Sequence, residues 1–126
     1  MNPVFILDDQ FMKLIIAGSR SIANPNIIEE AIHNSGWRNE IIEVVSGCAN
    51  GVDKLGEMWA EKNNILIKRF PANWQKYGRK AGSLRNKQMA EYGDKLIAIW
   101  DGNSTGTIDM VKQMKTAEKP AYLHKI

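Results

Sequence analysis

VVSGCANGVDKLGEMWA, residues 44–60, changes character in its middle. A β-branched run, Ile41 to Val45, leads into it and reads as a strand. Gly47 to Gly51 then form a tight turn. Val52, Leu55, Trp59 and Ala60 recur at helical spacing, so Asn50 to Asn63 reads as a helix. A strand that passes through a glycine turn into a helix is half of a βαβ unit. Glycine tolerates positive φ and lets another group approach the backbone. The helix N-terminus carries free N–H groups and partial positive charge, which suits a phosphate or carboxylate. The turn therefore has two readings, a plain connection or one wall of an anion site. Its spacing matches neither G-x-G-x-x-G nor a P-loop.

The same alternation continues in both directions. Lys13 to Ala17 reads as a buried strand ending at Gly18. Asn24 and Pro25 offer an N-cap and a first-turn proline, and Ile27, Ile28, Ala31 and Ile32 form a helical stripe that stops at Gly36. Ile65 to Ile67 is a third strand, ending near Phe70-Pro71, and Pro71 to Gly82 reads as a long basic, aromatic loop. Ala81 to Tyr92 is a helix stopped by Gly93, Lys95 to Trp100 a fourth strand, Thr107 to Ala117 a helix, and Pro120 to Leu123 a last strand. The expected fold class is α/β, a single Rossmann-like three-layer domain over residues 13–126 with a parallel sheet of about five strands. Residues 1–12 form an N-terminal arm, in which Val4 to Leu7 reads equally as an edge strand or a docking segment.

Composition supports a folded soluble protein: 126 residues, 44% hydrophobic and 25% charged. No apolar run approaches the roughly 20 residues of a membrane span. The start lacks the basic region of a signal peptide. The single cysteine, Cys48, has no partner for an internal disulfide, and a cytoplasmic location is expected. The net charge of +3 conceals an uneven distribution. Lys62, Lys68, Arg69, Lys76, Arg79, Lys80, Arg85 and Lys87 fall in an interval without Asp or Glu, while the rest of the chain sets nine basic residues against 14 acidic ones. An anionic ligand near that interval is one reading, and a solvated basic face is the other.

In open parallel sheets, ligands bind beyond the carboxyl ends of the strands. Three polar turns lie there: Gly18-Ser19-Arg20, Ser46 to Gly51 with Asp53, and Asp101 to Thr107. Arg20 can grip a phosphate with two N–H groups. Ser104, Thr105 and Thr107, around Gly106, can cap a helix or meet phosphate oxygens. Arg79, Arg85 and Asn86 belong to the basic interval. Trp74, Tyr77 and Trp100 lie near these turns and could stack on a base, whereas Trp59 sits at core spacing. His33 and His124 stand apart, so no catalytic or metal-binding pair is expected, and no cofactor or metal is called for.

Taken in order, Gly18-Ser19-Arg20, Ser46-Gly47-Cys-Ala-Asn50-Gly51-Val-Asp53, Pro71-Ala-Asn-Trp74, Gly78-Arg79-Lys-Ala-Gly82-Ser-Leu-Arg85-Asn86-Lys-Gln-Met89 and Ser104-Thr105-Gly106-Thr107-Ile-Asp109-Met110 form a pattern. It resembles the YspA/YpsA-related branch of the SLOG superfamily, which also contains the DprA/SMF proteins and the cytokinin-activating LOG enzymes. The likeness runs from Lys13 to Leu123. It implies a Rossmann-like sheet that binds nucleotides or nucleotide-derived ligands, and self-association. Relatives usually carry Gly-Gly-Ala-Arg-Gly-Ala/Ile-Asp in the second motif. Here Cys48 replaces a glycine and Asn50 an arginine, which removes a cation from the rim. LOG enzymes carry Pro-Gly-Gly-x-Gly-Thr followed by a catalytic glutamate. Here Gly102 to Thr107 is followed by the shorter acid Asp109.

Three functions follow from these features. The first is binding of a small ADP-ribose- or NAD-like ligand, as sensor, carrier or sequestering protein. The second is a LOG-like N-glycosidase on nucleoside monophosphates, with Asp109 or Asp101 as the carboxylate and Arg85 as the phosphate anchor. The third, less favoured, is DprA-like single-strand nucleic-acid binding through the basic interval with Trp74 and Tyr77.

Overall fold

A computed structural model of the protein describes residues 11–126, and the apolar segment Val4 to Leu7 lies outside the described residues. The chain runs β1 (Met12–Gly18), α1 (Asn26–Ser35), β2 (Ile41–Ser46), α2 (Val52–Lys62), β3 (Leu66–Arg69), α3 (Trp74–Tyr77), α4 (Ala81–Tyr92), β4 (Lys95–Trp100), α5 (Thr105–Thr116) and β5 (Ala121–Lys125). Every neighbouring strand pair is parallel, and the sheet order is β3-β2-β1-β4-β5.

The apolar runs of β1 and β4 occupy the middle of this sheet, where both faces must be covered. Alternate side chains serve opposite layers. Leu14, Ile16, Ile97 and Ile99 meet Ile28 and Ile32 of α1 and Leu55 and Trp59 of α2. Ile15, Ala17, Leu96 and Ala98 meet Met89 and Ala90 of α4 and Met110 and Met114 of α5. Each fully buried Leu or Ile contributes about 1.5–3 kcal/mol, so these runs anchor the fold. The edge strand β3 exposes Leu66, Lys68 and Arg69.

Strand order positions the site. The chain extends from β1 to β2 and β3 on one side, then returns to lay β4 on the other side of β1. That reversal opens a crevice outside the carboxyl ends of β1 and β4. Gly18 is level with Ile99, and Ser19 N–H donates to the Ile99 carbonyl at 3.0 Å, so the two strands end together.

Several boundaries differ from the sequence reading. The stretch read as a long loop after Pro71 is largely helical. Asn73 caps α3 by accepting from Lys76 N–H, and a 3₁₀ turn at Gly78–Lys80 leads into α4. Helix α2 starts at Val52 because Cys48 (φ 66°) and Gly51 (φ 76°) both leave the helical region. Helix α5 starts at Thr105, with Ser104 as its cap accepting from Thr107 N–H. Asn24 accepts from Asn26 N–H, and Pro25 itself stands at the cap of α1.

Candidate functional site

A cavity of about 820 Å³ fills the crevice. The end of β1 supplies Gly18 and Arg20, and α2 supplies Asp53. Trp74 of α3 and Arg79 of the turn after it form one side, followed by Arg85 and Asn86 of α4. The opposite side holds Asp101, the Ser104-Thr105-Gly106-Thr107 entry to α5, and Asp109. Helix α4 prepares this arrangement. Its sequence has no continuous apolar stripe, and its buried face carries Asn86 beside Ala81, Met89 and Ala90.

Other residues singled out from the sequence stand behind the wall or outside it. Buried Ser19 accepts from Asp101 N–H at 3.0 Å. The buried Ser46 hydroxyl donates to Glu57 at 2.6 Å and accepts from Cys48 N–H at 3.1 Å. Gly47 offers its carbonyl to Arg85 Nη1. The close approaches at the two glycines are made by the protein itself. A Cβ on Gly47 would lie 2.7 Å from Arg85 Nη1 and 2.8 Å from Asp53 Oδ2, and one on Gly51 would lie 2.5 Å from the Ser19 carbonyl oxygen. Asn50 and Tyr77 are exposed and do not line the cavity, while Trp100 donates its indole N–H to the Ser104 carbonyl at 3.1 Å. Of the Ser46–Gly51 turn, Ala49 alone reaches the cavity.

The polar groups are tightly connected. Arg85 Nε donates to Asn86 Oδ1 at 3.0 Å. Asn86 Nδ2 donates to Asp109 Oδ2 at 2.9 Å and to the Gly106 carbonyl at 3.2 Å. Asp109 Oδ1 accepts from Ser83 at 3.3 Å. Asp101 has a different task. One of its oxygens accepts from the N–H groups of Asn103 (2.8 Å) and Ser104 (3.0 Å), and the other from Ser21 at 3.1 Å. Those backbone donors hold its carboxyl below the usual range. Asp101 thus ties the turn before α5 to the end of β1.

The charges respond to burial. Burial pulls the Arg85 guanidinium down, the Asp53 charge opposes that, and the Arg20 charge adds to it. Burial pushes the Asp53 carboxyl up to about 6, against the Ala49 N–H and the Arg85 charge. An unfolded chain titrates an Asp near about 3.9. Between about pH 4 and 6 the folded state therefore holds the extra proton, and stability falls as pH rises. The shift corresponds to about 3 kcal/mol. Asp53→Asn should flatten that slope and raise stability near neutral pH, as read by urea denaturation at pH 4.5 and 7.5. A variant that kept the wild-type slope would assign it to another group.

The sequence reading missed Ser21 and Ser83. Each has a local signal: Ser21 follows Arg20, and Ser83 lies one helical turn before Asn86. It also missed Glu57, which is one turn beyond Asp53 on the same face of α2. Glu57 is buried, held by Ser46 and by Arg69 Nε at 3.0 Å.

Residues 12–77, from β1 through α3, match the YspA, cpYpsA-related SLOG family. The chain belongs to that family. Its likeness to the Gene 61 protein of Mycobacterium phage D29 extends further, with 30% identity over 115 residues, 86% of this chain and 92% of the phage protein. A match of that share of the chain takes in α4 and β4 as well. Membership in the SLOG family points to a nucleotide-related ligand in general terms. Within this SLOG domain, Cys48 adopts the positive φ (66°) that a glycine would take easily.

Proposed function

We propose that this SLOG domain binds a small nucleotide-derived ligand of ADP-ribose or NAD type in the crevice between β1 and β4, and acts as a sensor, carrier or sequestering protein. One observation carries the proposal. Arg20, Arg79 and Arg85 share a single cavity with the N-terminus of α5. Guanidinium groups and helix N-termini both favour phosphate oxygens. The volume of about 820 Å³ lies within the roughly 300–1,000 Å³ typical of small-molecule sites. Trp74 adds a ring on which a base can stack. The Trp74 ring edge and Arg85 Nη2 lie 3.3 and 4.0 Å from one point above Gly82, which brings a stacking surface beside a phosphate donor.

A thermal-denaturation series tests this. A ligand held only by the native state stabilises it by about 2.7 kcal/mol at 100 times its Kd. ADP-ribose, NAD or AMP should therefore raise the melting temperature in a concentration-dependent way. The effect should survive moderate salt, whereas binding along a nucleic-acid backbone would lose about 10³–10⁵ in affinity between 50 and 200 mM salt. Stabilisation by oligonucleotide alone, lost in salt, would favour the nucleic-acid reading. The basic interval gives that reading less support than its charge suggests, since Arg69 is paired with Glu57 and Glu61 and Arg85 is drawn inward.

A second reading rests on Asp109. Its carboxylate faces the cavity and is oriented by Asn86 and Ser83. In a LOG-like hydrolysis the base would depart with the bonding electrons of the N-glycosidic bond. Asp109 would stabilise the positive charge on the ribose or orient the water that adds there, and the water proton would pass to the base. If the protein hydrolyses nucleoside monophosphates, Asp109→Asn should slow base release by about 10²–10⁴. Base release at the wild-type rate in that variant would remove this reading.

A further inference from the structure

We infer that Asn86 is a positioning residue that makes Arg85 and Asp109 act as one unit toward the ligand, an inference that rests on the nucleotide-binding reading above. Arg85 and Asp109 come from different helices, and the contact that joins them is a single buried amide. The orientation of that amide is determined by its neighbours. On one side stand two acceptors, Asp109 Oδ2 and the Gly106 carbonyl, and on the other a donor, Arg85 Nε. Reversing the amide would set an oxygen against two acceptors and an NH₂ against a donor, so only one orientation satisfies the cluster. Asn86 is 6% exposed and both ends of its amide are engaged, so ligand recognition falls to the residues it holds.

The consequence is specific. With Nε held by Asn86 and Nη1 by the Gly47 carbonyl, Arg85 keeps Nη2 for the ligand on its Gly82 side. Asp109 keeps its unshared lone pairs for a hydroxyl or N–H. The cavity then presents a donor and an acceptor at a fixed separation. It selects ligands that carry an anionic oxygen and a hydrogen-bond donor at matching distance, and a bare phosphate can satisfy only the first. Because one amide sets both groups, disturbing either one should change the other's contribution to binding.

The test has two arms. In the ligand-free protein, the Arg85 Nε–H proton should be protected from exchange and resolved in a proton–nitrogen spectrum. It should be lost in Asn86→Ala, which removes the acceptor that holds it. In the second arm, ADP-ribose affinities are measured by calorimetry for Arg85→Gln, Asp109→Asn and the double variant, with Asn86 intact and with Asn86→Ala. The two substitutions should be non-additive by about tenfold with Asn86 intact, and additive once it is removed. Coupling that persists in Asn86→Ala, or an Nε–H signal indifferent to that change, would overturn the inference. If the wild type binds no ADP-ribose, the nucleotide reading of the site fails, and the spectrum of the free protein still decides the role of Asn86.

Discussion

Arg85→Gln is expected to weaken ADP-ribose binding by about 100-fold, the effect of removing one partner from a partly buried charge contact. Arg85 is half-buried, and its position is held by the Gly47 carbonyl and the Asn86 amide. A phosphate that meets it meets an oriented cation in a partly desolvated site, where charge contacts are strong. Arg79 lines the same cavity but is exposed, so Arg79→Gln should weaken binding only a few-fold. Arg85→Gln should also cost about 1–3 kcal/mol of folding stability, because it leaves the buried Asp53 without its cation and the Gly47 carbonyl without its donor, so binding is compared where both variants are folded. Calorimetric titration of both variants checks the ranking. Equal, small effects from the two would mean that the phosphate binds elsewhere.

Gly51→Ala should destabilise the protein by about 2–6 kcal/mol. Two costs combine. Gly51 holds φ 76° and ψ −128°, a region that side chains avoid, and forcing one into it costs about 1–3 kcal/mol. The added methyl would also meet backbone atoms, 2.5 Å from the Ser19 carbonyl oxygen and 2.6 Å from Arg20 Cα. Backbone cannot rotate aside as a side chain can, and overpacking of this kind costs about 1–3 kcal/mol more. The displaced segment bears Arg20, so ligand binding should fall together with stability. Gly36 provides the control. Its φ is also 76° but its ψ is 7°, the left-handed region that a side chain enters at about 1–2 kcal/mol, and nothing lies within 4 Å of a new methyl, so Gly36→Ala should carry only that smaller conformational cost. Urea denaturation separates the two, and similar losses in both would show that neither the backbone angles of Gly51 nor packing against Ser19 and Arg20 adds to the cost.

The layered architecture was legible because its signals are local. The runs Leu14 to Ala17 and Leu96 to Ile99 have no polar alternation, and their short length with flanking turn signals favours strands of a sheet covered on both faces over a buried helix. Helical crossovers between successive strands then make the strands parallel and gather the polar turns on one rim. Details that depend on distant partners were not legible. Nothing near Gly47 indicates that its neighbour is Arg85, 38 residues away. The glycines of the Gly47–Gly51 turn read as openings for a ligand, yet protein groups occupy the space beside both. Asn86 read as one ligand contact among many because its partners, Gly106 and Asp109, lie more than one element away in sequence. Asp101 read as a candidate carboxylate because sequence alone does not reveal the donors of Ser21, Asn103 and Ser104 around it. From sequence Trp74 reads as a loop residue because the cap that makes α3 a helical turn, Asn73, acts over only four residues.

The proposed ligand is a phosphate-bearing nucleotide in the crevice between β1 and β4. Titrating ADP-ribose into isotope-labelled protein and following the backbone amide resonances tests it most directly. The largest shifts should fall at Gly18, Arg20, Gly82, Asn86 and Ser104 to Thr107, with the Arg85 side-chain N–H moving alongside them. Shifts that cluster on another face, or none at millimolar ADP-ribose, NAD or AMP, would contradict it.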